Sequence, residues 1–82
     1  MAGYRLAWLE IAEDQYRSLP GDLRSRVDVR LGQLLDEPLN ASSAVYNRHS
    51  DQYSVPLDDA GFLFFAVVAS PPTVIVLRIV QI

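Results

Sequence analysis

The chain contains no cysteine and no lysine. Without cysteine there is no disulfide framework and no thiolate metal site, an absence that fits a reducing cytoplasmic compartment. No metal and no cofactor is expected. The longest apolar run, Phe62 to Ala69, falls far short of the ~20 residues needed to span a bilayer, so no membrane role is expected. The opening Met1-Ala2-Gly3-Tyr4-Arg5 lacks the long apolar stretch of a secretory leader. Basic charge is also scarce. Seven arginines face ten acids, for a net charge of −3. Proteins that grip nucleic acid gain affinity from cations, so strong binding to phosphates is not expected of the domain as a whole.

What is present suits one small domain spanning 1–82. Half of the 82 residues are hydrophobic, too many for disorder. A chain of this length buries roughly 60–65% of its unfolded surface, enough for a modest core. Tyr4, Leu6 and Trp8 alternate with Arg5 and Ala7, which predicts a strand over Tyr4–Leu9 with one apolar face. A first helix starts near Glu10, with Ile11, Ala12, Tyr16 and Leu19 on one side, and ends at Pro20-Gly21. Asp22 is placed to cap a second helix beginning at Leu23. Leu23, Val27, Leu31, Leu34 and Leu35 form its single apolar stripe. Asp36-Glu37-Pro38 closes it, and so short a connection predicts a helical hairpin.

Leu39 to Asp51 reads as a long loop, rich in asparagine and serine. Tyr53, Val55 and Leu57 then alternate with Ser54, Pro56 and Asp58. That is a half-buried strand in which Pro56 marks an edge or a bulge. Asp58-Asp59-Ala60-Gly61 is a hairpin turn. Phe62 to Ala69 and Val74 to Ile82 are further strands, joined by a turn at Ser70-Pro71-Pro72-Thr73. The order is β-α-α-β-β-β. The expected class is α+β: a two-layer sandwich in which a helical hairpin covers one face of an antiparallel sheet. The first strand must join one edge of the three-stranded meander, and either edge satisfies the pattern.

This ordered set resembles the RelE/ParE toxins of type II toxin–antitoxin systems, along nearly the whole chain. The resemblance rests on Tyr4-Arg5-Leu6-Ala7-Trp8, on Ala12 and Leu19-Pro20, and on Leu34-Leu35-Asp36-Glu37-Pro38. It continues through Tyr53-Ser54-Val55-Pro56-Leu57, Gly61-Phe62-Leu63-Phe64-Phe65 and Val74-Ile75-Val76-Leu77-Arg78-Ile79. It implies a toxin-like role with an antitoxin protein, or a second copy, as partner. The RelE branch cuts mRNA on the ribosome with basic side chains. Such cleavage needs a base, an acid and cations to hold the phosphorane. At two of the family's lysine positions this chain has Ser54 and Pro56, and at the next arginine position it has Leu63. The last arginine and the tail aromatic would fall past Ile82. The resemblance therefore implies protein binding rather than RNA cleavage.

Three groups of side chains compete for a role. Tyr46, Arg48 and His49 form a cluster in the long loop, a candidate for a rearranged ribonuclease centre because histidine titrates near neutrality. Solvated loop side chains are the simpler reading. Arg24, Arg26 and Arg30 are candidates to contact nucleic acid, against a solvated helix face. Leu63, Phe65 and Arg78 are candidates for partner binding. The strands are apolar on both faces, and one helical hairpin covers only one of them, so the other face should present a hydrophobic patch. Leu63 is assigned to that open face, and Arg78 either faces the groove where the family binds RNA or sits on the open face, paired with Asp58, Asp59 or a partner's carboxylate. Asp58 and Asp59 themselves read as turn residues rather than a metal or acid/base pair.

Overall fold

The alternation at the start of the chain does produce a strand, β1 at Arg5–Trp8. Helix α1 follows at Glu10–Arg17 and α2 at Gly21–Asp36. Four strands complete the chain: β2 at Val45–Asn47, β3 at Gln52–Pro56, β4 at Gly61–Ala69 and β5 at Pro72–Gln81. The structure is a computed structural model, and it describes residues 3–37 and 44–82. The first half of the segment read as a loop lies largely outside those residues.

The five strands form one sheet in the order β1-β5-β4-β3-β2. Neighbours run antiparallel except β1, which runs parallel to β5, with Leu6 beside Val74 and Trp8 beside Val76. The sheet is thus mixed rather than wholly antiparallel. β1 takes the β5 edge of the meander, and β2 lines the other side of β3. Three local readings are corrected. Helix α2 starts at Gly21 with Pro20 in the capping position, so Asp22 lies in its first turn and not at its cap. Part of the predicted long loop is strand β2, which pairs Val45 with Ser54 and Tyr46 with Tyr53. Three residues are too few for the alternation to register in the sequence. Pro56 marks neither an edge nor a bulge, since β3 lies between β4 and β2 and its register with β4 is unbroken. Leu57 N–H donates to Gly61 O at 2.8 Å, so the nitrogen of Pro56 points the other way, past the end of β2.

The helices pack on one side of the sheet. Ala12, Leu19, Leu23, Val27, Leu31 and Leu34 from the helical layer meet Val55, Leu57, Leu63, Phe65, Val74, Val76 and Ile79. No polar or charged residue is buried among the described residues. Burial of this apolar surface is the main stabilising term. At the edge of the core, Tyr16 packs on Trp8 with ring centroids 5.1 Å apart and donates a hydrogen bond to Asp28 Oδ1 at 2.6 Å. That bond, ahead of burial and the Asp28 charge, raises the Tyr16 phenol above its ordinary value of 10.0. Tyr16→Phe keeps the ring and removes the bond, so it should cost about 0.5–1 kcal/mol in urea unfolding at neutral pH. The bond needs the protonated phenol. Its contribution is full below the unfolded-state value and is lost as pH rises through the higher folded-state value. The two proteins should therefore converge in stability in strongly alkaline solution.

A β-bulge sets which side chains leave the core. Phe64 pairs with Arg78 but Phe65 pairs with Val76, so Leu77 is the extra residue on β5. Strict alternation from Val74 and Val76 would carry Arg78 into the core. The bulge shifts the phase. Ile79 is buried in its place, and Arg78 is turned out to the opposite face.

Candidate functional site

The face turned away from the helices is the candidate site. It is built from alternate residues of the central strands. Ser54 and Pro56 on β3 stand beside Phe64 and Phe62 on β4. Phe62, Phe64 and Ala66 stand beside Val80, Arg78 and Ile75 on β5. Phe62 is 40% exposed, and Val68 and Val80 are each 38% exposed. At its centre the guanidinium of Arg78 lies 4.3 Å from the centroid of the Phe64 ring, a cation–π contact. The face is an apolar surface with one cation in its middle.

Not all of the residues singled out from the sequence meet there. Leu63 and Phe65 do not. Both are 0% exposed, and their pairing with Val55 and Ile79, and with Tyr53 and Val76, puts them on the helical side. The open-face position assigned to Leu63 is thereby corrected, since Ser54 and Pro56 face outward while Leu63 faces inward. Arg78 does reach the open face, but not beside Asp58 or Asp59. Those two acids lie against α2, with Arg26 at 3.7 Å from Asp58 and 3.5 Å from Asp59 and Arg30 at 3.9 Å from Asp58. Arg24 donates to Leu19 O at 3.1 Å and its guanidinium lies 5.9 Å from the Tyr16 ring centroid. The helix arginines are thus engaged within the protein rather than presented as a free cationic row.

The Tyr46, Arg48 and His49 cluster lies away from the open face. β2 and β3 form a hairpin whose turn carries Arg48 and His49, both exposed. The backbone N–H of His49 donates to Asn47 Oδ1 at 3.0 Å. Tyr46 packs on Tyr53, which in turn stacks on Phe65, at centroid separations of 5.0 and 5.4 Å. Its hydroxyl donates to Asp51 Oδ1 at 2.6 Å. That hydrogen bond holds the Tyr46 phenol above its ordinary value of 10.0, the wrong direction for a general base near neutral pH. Among the described residues no group of three or more His, Asp or Glu side chains is placed to hold a metal ion.

Sequence reasoning missed Phe62, Phe64 and Ala66 as the outward row of β4. The signal was available in β3. Ser54 and Pro56 are the polar and ladder-breaking positions that alternate with Tyr53 and Val55, and the hairpin register puts Phe64 and Phe62 beside them.

Comparison with solved structures places this architecture. A YoeB/ParE toxin from Agrobacterium tumefaciens superposes with a TM-score of 0.82 at 12% identity, covering 95% of this chain and 98% of that one. The fold is that of the RelE/ParE toxins. A chain of the RelBE2 toxin–antitoxin complex from Mycobacterium tuberculosis matches at TM-score 0.81 and 20% identity, over 100% of this chain and 94% of that one. An E. coli RelE mutant in complex with an antitoxin peptide matches at TM-score 0.80 and 24% identity, over 100% and 85%. At these identities the likeness to RelE/ParE toxins is one of fold. No protein-family model matches the sequence, and no curated protein does.

Proposed function

We propose that this chain is a toxin-like component of a type II toxin–antitoxin module, that it acts in the cytoplasm by binding protein, and that it does not cleave mRNA. The observation that carries this reading is the chemistry of the open sheet face. Two lysine positions and one arginine position of the RelE branch are held here by Ser54, Pro56 and Leu63, and Leu63 is buried in the core. The cation at the centre of that face, Arg78, is packed on Phe64. Acid–base catalysis needs a group able to take and give a proton near neutral pH, and the residues named on this face include none. The partner side of the reading draws on the solved neighbours, several of which are toxin–antitoxin complexes.

Each missing acid, base or phosphate-binding group typically removes roughly 10²–10⁴ in rate, so loss of three leaves no detectable cleavage. The test is primer extension on ribosome-bound mRNA incubated with the purified chain. Full-length products throughout are expected. Site-specific cuts that disappear in His49→Ala would replace this reading with a ribonuclease centred on Arg48 and His49.

A further inference from the structure

Strand β5 has an outer edge that β1 covers only in part. The last β1 partner is Trp8, beside Val76, after which the chain turns into α1. Leu77 to Gln81 run on past it. Which of their backbone groups face outward follows from the ladder. Leu57 N–H donates to Gly61 O, so Gly61 turns its backbone groups to β3, and by alternation Phe62 and Phe64 turn theirs to β5. Their partners Val80 and Arg78 therefore point at β4. Ile79 and Gln81 point the other way, to the side that β1 has left.

A side chain takes one of those outward groups. Oε1 of Gln15 on α1 accepts the Ile79 N–H at 2.8 Å, where the carbonyl of a neighbouring strand would stand. The glutamine amide carries the same kind of acceptor as a peptide unit. Among the described residues the Gln81 N–H and the carbonyls of Ile79 and Gln81 have no partner. A groove of about 290 Å³ lies alongside, lined by Ile11, Gln15, Leu19, Ile79 and Gln81 among others. An unpaired edge is a template for another strand, and proteins blunt it with lysine, proline, inward charges or bulges. Val74 to Ile82 contains no lysine, proline or acid, and the bulge at Leu77 comes before the unpaired groups. Val80 is 38% and Ile82 84% exposed.

A second copy of the chain fits this edge by symmetry. An antiparallel pair about a two-fold axis at Val80 sets Ile79 against Gln81 of the second copy, so the outward residues of both copies exchange their hydrogen bonds. Val80 then meets Val80, and Ile82 meets Arg78 of the second copy. The exposed apolar side chains are covered and no arginine faces arginine. We propose that Gln15 is an edge guard: it fills the position at Ile79 that a second copy's β5 needs, and so keeps the chain from associating through this edge. Strand addition must first break the Gln15 bond in both copies, which sets a cost against it. The guard is a property of the fold and holds whether or not the open face binds a protein.

The test is sedimentation velocity of the full chain, joined to hydrogen exchange at single amides. The parent should be monomeric, with the Ile79 N–H exchanging slowly and the Gln81 N–H quickly. Gln15→Ala removes the acceptor and should self-associate roughly tenfold more tightly than the parent, with the Gln81 N–H gaining protection as protein concentration rises. Adding Val80→Lys sets lysine against lysine at the two-fold axis and should return that variant to monomer. Gln15→Glu keeps an acceptor oxygen and should stay monomeric. Should Gln15→Ala fail to fold, Gln15→Asn, too short to reach Ile79, carries the same prediction. A folded and monomeric Gln15→Ala or Gln15→Asn protein would overturn the inference. So would a parent already paired through β5, or association that survives Val80→Lys or leaves the Gln81 N–H unprotected.

Discussion

Leu63→Arg should unfold the protein rather than alter a surface. Leu63 is fully enclosed, paired with Val55 and Ile79 under the helices, and no charged residue is buried among the described residues to receive a guanidinium. Removing a buried leucine costs about 2–5 kcal/mol. An unpaired buried charge adds several more, against a total stability of about 5–10 kcal/mol for a domain of this size. Circular dichroism should show no cooperative thermal transition. Phe62→Arg is the matched control one residue earlier, on the open face, and should stay within about 1 kcal/mol of the parent. A Leu63→Arg protein that unfolds cooperatively near the parent's midpoint would mean that the two faces of β4 have been assigned the wrong way round.

Gly61→Ala should be the most damaging change of a single methyl group. Gly61 is buried, opens β4 at φ 158° and pairs with Gln81. A Cβ there would run into the carbonyl oxygen of Val80 and come within 3.1 Å of its carbon and 3.2 Å of Gln81 Cα. These are backbone atoms of the paired strand at the end of the β4–β5 ladder, so they yield only if the end of β5 moves away from the hairpin. A loss of about 2–4 kcal/mol is expected, seen as a lower urea midpoint with an unchanged slope. A loss under 0.5 kcal/mol would show that the β4–β5 pairing at this end is loose.

The layout was legible where periodicity is strong. The leucine stripe of α2 from Leu23 to Leu34 is buried as read, and the apolar runs around Phe64 and Val76 are strands. The expectation of an apolar face left uncovered by the helices also holds, because no alternation of Phe62-Leu63-Phe64-Phe65 puts polar residues outward. The β4 run by itself could not say which residues occupy that face, and the phase was readable only through Ser54 and Pro56 on β3. A run that is apolar on both sides carries no phase of its own, and Leu63 was assigned to the wrong one. Arg78 was ambiguous for a second reason. Its orientation depends on the bulge at Leu77, a backbone irregularity with no residue signature here. β2 escaped notice because its pairing with β3 is too short to leave a pattern.

The most direct test of the central claim is to express the chain together with the product of any small reading frame that adjoins its gene and to follow the purified protein by sedimentation velocity. A stoichiometric complex is expected. Phe64→Glu and Arg78→Glu, both on the open face, should dissociate it without unfolding the chain. A clean monomer at high concentration, indifferent to both substitutions and active in cutting ribosome-bound mRNA, would contradict the claim that this sheet face works by binding protein.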